Sequence, residues 1–134
     1  MAFARGFLTA LIGSLVVNLV LLLALSPLVI DPAMPLNALS FGPVTMFTVL
    51  GVVGATIVYA LLRRFTAVPD RIFLWIAIGV LILSFIPDYL VIGKTTGMFA
   101  GGSVKTALLL ALLHVTTAAI TVYGLTRLWG RRAA

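Results

Sequence analysis

Four long apolar stretches, separated by short polar segments, dominate the pattern of hydrophobic and polar positions along this chain. Each stretch has about 20 residues, which as a helix would be about 30 Å long and would match the hydrocarbon core of a bilayer. The pattern therefore predicts an all-α protein, a single integral membrane domain (residues 1–134) with four transmembrane helices in an up-down bundle. The predicted helices cover about residues 7–27, 44–62, 72–92 (with a break at 87–88) and 105–127.

The charges between the apolar stretches predict which way the helices cross the membrane. Two lysines, Lys94 and Lys105, fall on one side of the predicted bundle, and seven arginines fall on the other. Short loops rich in Lys and Arg remain in the cytoplasm, so we expect both termini to be cytoplasmic. The seven arginines are Arg5, Arg63, Arg64, Arg71, Arg127, Arg131 and Arg132.

Composition excludes several classes of protein. The chain is 63% hydrophobic and 9% charged, whereas soluble domains carry about 25% charged residues, so it has too few charges to cover a water-facing surface. The formal net charge is +6, but the basic residues flank apolar stretches, which indicates lipid contact and topology rather than nucleic-acid binding. With no cysteine, one histidine and three aspartates, the chain lacks the ligands of an ordinary metal site.

Small residues recur at helical spacing in three of the predicted helices. Such stripes let helix backbones approach closely within a membrane. We expect them to face the interior of a compact bundle or a neighbouring subunit. The first helix carries Gly6, Ala10, Ser14 and Asn18, the second Gly51, Gly54 and Ala55, and the fourth Ala107, Ala111, His114, Ala118 and Thr121.

Two polar residues are expected near the middle of the membrane. Asn18 lies about 16 Å above the inner boundary, and His114, the single histidine, lies about 12 Å below the outer boundary. Asp88 lies about 24 Å above the inner boundary, at a height similar to that of Thr48. In a core of about 30 Å, Asn18 and His114 are nearly level. The sequence therefore predicts a contact between Asn18 and His114 more readily than one between Asp88 and His114.

His114 and Asp88 each have a structural and a functional interpretation. A neutral His114 can join two helices by bonding to Asn18 or a threonine, a contribution of about 0.6–2 kcal/mol. It can instead serve as a proton relay, as a ligand to haem or chlorophyll, or as part of a small-molecule pocket. Asp88 can cap a turn or pair with a lysine, or it can form an outward-facing entry site for a cation or proton. The candidate site comprises Asn18, Asp88 and His114, with Thr48, Pro87 and Thr117 as supporting residues.

Several short motifs occur in an order that resembles a known family. They are Asn18 in the first helix, a proline-rich outer loop, the pair Arg63-Arg64, the motif S-x-x-P-D-x-L at 84–90 and the motif L-L-H-V-x-x-A-A at 112–119. Over nearly the whole chain, this arrangement resembles a family of small bacterial four-helix membrane proteins of unknown function. The resemblance implies the four-span fold and a place in a bacterial plasma (inner) membrane. It directs attention to Asn18, Pro87, Asp88 and His114 and implies no activity.

The sequence supports three hypotheses about function. The first is a non-enzymatic accessory or scaffolding subunit of a membrane assembly, acting with other membrane subunits or further copies of itself, with Asn18 and His114 as an internal polar clasp. The second is a small oligomeric transporter or channel in which Asp88 and His114 are the protonatable groups. The third is a cofactor-binding subunit with His114 as an axial ligand, the identity of the cofactor being left open.

Overall fold

The computed structural model describes residues 1–129, apart from the side chain of Met98, and this part of the chain is helical with connecting loops. Each of the four main helices, the fourth together with its π-helical continuation, is long and apolar enough to cross a membrane, as the hydrophobic pattern predicted. The helices are α1 (Ala2–Val29), α2 (Phe41–Phe65), α3 (Pro69–Leu90) and α4 (Val104–Tyr123), which continues as a π-helical segment (Gly124–Trp129). Two short 3₁₀ helices, Asn37–Leu39 and Gly97–Phe99, lie in the loops.

Two prolines lie inside helices rather than at their ends. Pro27 lies within α1, which continues to Val29, and Pro87 lies within α3, which continues to Leu90. The predicted break at residues 87–88 is therefore wrong. A proline removes the hydrogen bond from its own nitrogen to the carbonyl four residues earlier. Pro87 lies three residues before the end of α3, so one such bond is lost near the end of the helix.

The small-residue stripe of α1 faces the interior of the bundle. Gly6 approaches Gly124 so closely that a Cβ atom added at Gly6 would lie 2.7 Å from the Gly124 carbonyl oxygen. Gly13 lies against Ile120 in the same way, with 3.0 Å to its Cγ2 atom. Residue numbers rise along α1 as they fall along α4, so these two helices run in opposite directions. The buried stripe residues are Gly6, Ala10, Ser14 and Asn18.

Two apolar clusters hold the two ends of the bundle. At one end, Tyr59 of α2 and Phe73 of α3 pack with Leu125 of the π-helical segment, and the Tyr59 and Phe73 ring centres are 5.0 Å apart. The other cluster lies where α1 ends and α4 begins, and it includes the loop before α2. Its buried members are Leu22, Leu36, Ala38, Leu39, Val44, Leu109 and Leu113.

The loop before α4 packs against the loop before α2. Within it, the Gly93 nitrogen donates to the Gly102 carbonyl at 3.0 Å, and the Gly101 nitrogen donates to the Lys94 carbonyl at 3.0 Å. Gly101 has a φ of +84°, and an added Cβ would clash with the Met34 carbonyl oxygen. Glycine is required here because the backbones of the two loops touch, and the loops form one packed layer over this end of the bundle.

Candidate functional site

Asn18 is the centre of a hydrogen-bond network that joins three helices. Its Nδ2 donates to Thr48 Oγ1 of α2 at 2.9 Å and to Thr117 Oγ1 of α4 at 2.7 Å. Its Oδ1 accepts from Thr116 Oγ1 at 2.9 Å. Asn18 is buried, and these bonds use both of its amide hydrogens and its carbonyl oxygen. The predicted residues Asn18, Thr48 and Thr117 therefore form one group.

Asp88 and His114 form a second group. His114 Nδ1 and Asp88 Oδ2 are 2.9 Å apart, which joins α3 to α4. The Asp88 side chain is 7% exposed, whereas the His114 side chain is 40% exposed. The predicted clasp between Asn18 and His114 is therefore wrong, because each of these residues bonds to a different partner. Thr48, expected at the height of Asp88, bonds to Asn18.

The direction of side chains on antiparallel helices explains why His114 contacts Asp88 rather than Asn18. A Cα–Cβ bond tilts toward the N-terminus of its helix. Phe73 of α3 packs with Leu125, and Asp88 bonds to His114, so residue numbers rise along α3 as they fall along α4. The side chains of Asp88 and His114 therefore tilt toward each other. Asn18 tilts toward the start of α1 for the same reason, and it meets Thr117, one turn beyond His114.

The Asp88–His114 pair lies in the wall of a cleft of about 610 Å³ between α2, α3 and α4. The α2 wall includes Gly51 and Gly54, where an added Cβ would have no atom within 4 Å. The α3 wall is apolar and includes Val80. Because Gly51, Gly54 and Val80 are exposed at the surface of the bundle, the cleft opens sideways between α2 and α3. The remaining predicted residues, Asn18, Thr48, Pro87 and Thr117, also line it.

The pairing with Asp88 leaves the second ring nitrogen of His114 available. Within residues 1–129, His114 Nε2 has no hydrogen-bond partner. Nε2 donates when the ring is an imidazolium or when Nδ1 accepts from a protonated Asp88, and it accepts when Nδ1 donates to an ionised Asp88. His114 therefore presents one polar ring nitrogen at the cleft, and the tautomer decides whether it donates or accepts.

Two buried hydroxyls have no hydrogen-bond partner within residues 1–129, Ser14 Oγ and Thr121 Oγ1. Thr121 is among the residues that line the cleft, whereas Ser14 is not. The sequence placed Thr121 on the same face of α4 as His114 but did not identify it as a site residue. It also missed Thr116, for which the adjacent threonines at 116 and 117, near the depth of Asn18, were the available signal.

A third polar group, also missed from the sequence, lies at the Tyr59–Phe73 end of the bundle. The Tyr59 hydroxyl donates to Asp70 Oδ1, and Arg63 Nη1 donates to the Trp129 carbonyl at 2.7 Å. The Arg63 guanidinium also lies 5.2 Å from the centre of the Trp129 ring. The Tyr59–Asp70 bond joins α2 to α3, and the two contacts of Arg63 fasten the π-helical segment to α2. Their chemistry is that of a structural anchor, since the group faces packed aromatic rings.

The described part of the chain has no group of three His, Cys, Asp or Glu side chains that could hold a metal ion.

Comparison with curated proteins and with solved structures gives no significant match. The sequence model of one family does match, over residues 2–131, and its description is a family of unknown function, DUF6069. This agrees with the resemblance in the short motifs. Because the match covers nearly the whole chain, the protein belongs to the DUF6069 family.

Proposed function

We propose that this protein is a non-enzymatic integral membrane protein that binds a lipophilic small molecule in the cleft between α2, α3 and α4. The observation that carries the proposal is the position of the Asp88–His114 pair in the wall of a cleft of about 610 Å³ with mainly apolar walls. Cavities that hold small ligands have volumes of about 300–1,000 Å³, with mostly apolar walls and a few polar groups. Ionisable side chains inside a membrane also mark functional sites more often than chance.

The proposed setting is a bacterial plasma membrane, with an up-down bundle and both termini in the cytoplasm. This orientation is supported by the positions of the basic residues. Arginines lie at the α2–α3 connection, whereas Lys94 and Lys105 lie at the other end of these helices. Arg131 and Arg132, which also contribute to the prediction, lie outside the described residues. His114 lies ten residues from Val104 and fifteen from Trp129, so in this orientation it is deep in the hydrocarbon core.

In this setting the ligand enters from the lipid. The cleft opens between α2 and α3, at a surface that would face acyl chains, so an apolar molecule reaches it without crossing water. His114 Nε2 then forms a hydrogen bond with an oxygen on the ligand, while the apolar part contacts α2 and α3. Such a bond is directional, and it distinguishes a ligand with such an oxygen from an acyl chain that merely fills the space.

A matched pair of glycine substitutions tests this function. Gly54 lines the cleft and Gly79 does not, and an added Cβ at either position would have no atom within 4 Å. Both Gly54→Leu and Gly79→Leu are therefore expected to fold, but only the Gly54 side chain would occupy the ligand's space. The variants and the wild type are purified in the same mild detergent, and retained lipophilic molecules are extracted and quantified by mass spectrometry per mole of protein.

We expect the wild type and Gly79→Leu to retain the same compound in a fixed ratio to protein, and Gly54→Leu to lose it. Equal retention by the two variants would show that the compound lies elsewhere. A wild type that retains only bulk membrane lipid in variable amounts would count against the function itself.

An accessory or scaffolding subunit of a membrane assembly is the second candidate. The open α2 wall favours it, because Gly51 and Gly54 would allow close approach of a helix from another subunit or a second copy. The buried α1 stripe gives no such support, since α4 of the same chain already covers it. With this function, Gly54→Leu would abolish a crosslinked complex in native membranes, whereas Gly79→Leu would preserve it.

The Asp88–His114 pair is also compatible with a transporter or channel that uses both groups for protons, and with a cofactor subunit. A ligating histidine usually donates its second ring N–H to a carboxylate, as His114 can to Asp88, which leaves Nε2 for an axial bond. Two measurements separate these cases: an absorbance spectrum recorded before extraction tests for a cofactor, and a flux assay in proteoliposomes tests for transport. A Soret or chlorin band lost in His114→Ala would indicate a bound pigment, and flux into proteoliposomes abolished by Asp88→Asn would indicate transport.

A further inference from the structure

The cleft is long compared with its width. The residues that line it fall within 44–58 on α2, within 73–88 on α3 and within 110–122 on α4. As helix, these ranges are about 18–23 Å long. A volume of about 610 Å³ over this length corresponds to a mean cross-section of about 30 Å². Such a shape favours a ligand with one extended chain over a compact ligand.

Buried residues close the cleft at both ends. At the loop end, Ala38 and Val44 line the cleft and belong to the apolar cluster of that end. At the other end, Phe73 lines the cleft and packs with Tyr59 and Leu125. A ligand therefore enters from the side, between α2 and α3, and the two clusters limit its length.

The accessible polar chemistry of the cleft is concentrated at the Asp88–His114 pair. The amide and hydroxyls of the Asn18 network bond to one another, and Ser84 Oγ donates to a backbone carbonyl of α3 at 2.6 Å. The Thr121 hydroxyl oxygen is buried and does not reach the cleft surface. The His114 side chain, in contrast, is 40% exposed and lines the cleft. Among the described residues, the cleft thus offers a ligand one polar position.

This polar position lies toward the loop end of the cleft. His114 is four residues from Leu110 and eight from Val122, the first and last α4 residues that line the cleft. On α3, Asp88 is fifteen residues from Phe73, which is about 22 Å along the helix. Most of the apolar wall therefore lies between the pair and Phe73. A ligand with its polar group at the pair has room for its chain on the Phe73 side.

The charges at the cleft favour an uncharged polar group. Among the described residues that line it, Asp88 and His114 are the ionisable ones, and they are paired with each other. An ionised carboxylate or phosphate group would be taken out of water without a free counter-charge, which is strongly unfavourable. A hydroxyl avoids this cost. Because a hydroxyl can both donate and accept, it can bond to His114 Nε2 in either tautomer.

We infer, on the basis of the proposed function, that the ligand is a lipid with one apolar chain and an uncharged hydroxyl end, lying lengthwise in the cleft. The hydroxyl bonds to His114 Nε2, and the chain extends toward Phe73, past Gly51 and Gly54. Glycine leaves space for the chain at these two positions, since an added Cβ at either would have no atom within 4 Å. The bound ligand therefore has a defined direction, with its polar end nearer the loops.

Two photoactivatable forms of tetradecan-1-ol test this direction on the full chain in lipid nanodiscs. One carries a diazirine beside the hydroxyl, and the other carries it near the far end of the chain. After irradiation, the labelled residues are mapped by mass spectrometry of peptides, and labelling that excess unmodified tetradecanol suppresses is counted as specific. Tetradecane and tetradecanoate are compared as competitors at equal mole fractions in the lipid.

We expect the hydroxyl-end probe to label cleft residues near the pair, with Ser84 and Pro87 among them. The chain-end probe should label cleft residues near Phe73, with Val58 and Ala77 among them. Tetradecanol should compete roughly two- to tenfold more strongly than tetradecane, the range that one hydrogen bond supplies. Tetradecanoate should compete most weakly.

The double variant Asp88→Leu, His114→Phe tests the polar position. It replaces both members of the pair, so it leaves no unpaired charge within the membrane. We expect it to lose the preference for tetradecanol over tetradecane. Gly79→Leu, which lies outside the cleft, is the control and should keep both the preference and the labelling pattern. A double variant that keeps the preference would mean that the hydroxyl binds elsewhere.

Other results would overturn the inference in distinguishable ways. If both probes label the same residues, or if the chain-end probe labels residues near the pair, the ligand does not lie in the inferred direction. If tetradecane competes as strongly as tetradecanol, the pair binds no hydroxyl, and if tetradecanoate competes most strongly, the ligand is charged. In each case, a compound retained by the wild type and Gly79→Leu but lost in Gly54→Leu would leave the proposed function standing. If Gly54→Leu and Gly79→Leu retain it equally, the proposed function falls as well.

Discussion

An Asn18→Leu variant is expected to lose roughly 2–5 kcal/mol of unfolding free energy, because Asn18 makes three interhelical hydrogen bonds of about 0.6–1.7 kcal/mol each. Leucine has the same number of side-chain heavy atoms in the same branched arrangement, so the loss comes from the bonds rather than from a cavity. It also leaves the buried Thr48 hydroxyl without its donor. The unfolding free energy is measured by titration with SDS in mixed micelles, with helical circular dichroism as the signal.

Ser14→Ala is the control for this prediction. Ser14 lies one turn before Asn18 on the same buried face of α1, but its hydroxyl has no partner within residues 1–129. Removing a hydroxyl that makes no hydrogen bond leaves no other group unsatisfied, so the variant should be as stable as the wild type or slightly more stable. An Asn18→Leu variant as stable as Ser14→Ala would show that the Asn18 network does not hold the three helices together.

A Gly6→Ala variant is expected to be about 1–3 kcal/mol less stable than the wild type, the usual cost of overpacking. An added Cβ would lie 2.7 Å from both the Gly124 carbonyl oxygen and the Trp129 Cβ atom. The first of these is backbone, so the clash is relieved only if α1 moves away from the π-helical segment. Thermal unfolding followed by Trp129 fluorescence, in a Trp75→Phe background, measures both the stability and the displacement.

Two further glycines calibrate this result. Gly79→Ala meets no atom within 4 Å, so it should gain up to about 1 kcal/mol from the higher helix propensity of alanine. Gly13→Ala should fall between the two, since its added Cβ meets the end of a flexible side chain, Ile120, at 3.0 Å. Equal stabilities for Gly6→Ala and Gly79→Ala would mean that the close approach of α1 to the π-helical segment is absent in the membrane.

The hydrophobic pattern was sufficient to predict the four helices, and helical spacing was sufficient to predict the buried face of α1. Both depend on the local sequence and on the fixed geometry of a helix. The predicted helix ends were less accurate. Pro87 is the clearest case, because the position of a proline does not by itself determine how many helical residues follow it. The π-helical segment had no signal in the pattern, since hydrophobic spacing does not distinguish it from the α-helix that it continues.

The polar residues were identified individually, but their pairing was not predicted correctly. Depth estimates treat each residue as a point on its helix axis, whereas side chains tilt toward the helix N-terminus and reach several ångströms. That tilt decides that His114 meets Asp88 rather than Asn18. The cleft had no counterpart in the sequence analysis, because its volume depends on how α2, α3 and α4 pack together, which the spacing of residues along each helix does not specify.

A high-resolution structure of the wild type in lipid, determined without added ligand, tests the central claim most directly. The predicted result is a defined, elongated molecule in the cleft with an oxygen about 2.7–3.2 Å from His114 Nε2. Its tail should pass between α2 and α3. The contradicting result is a closed cleft, in which Gly51 and Gly54 pack directly against α3 or another subunit and His114 contacts no bound molecule.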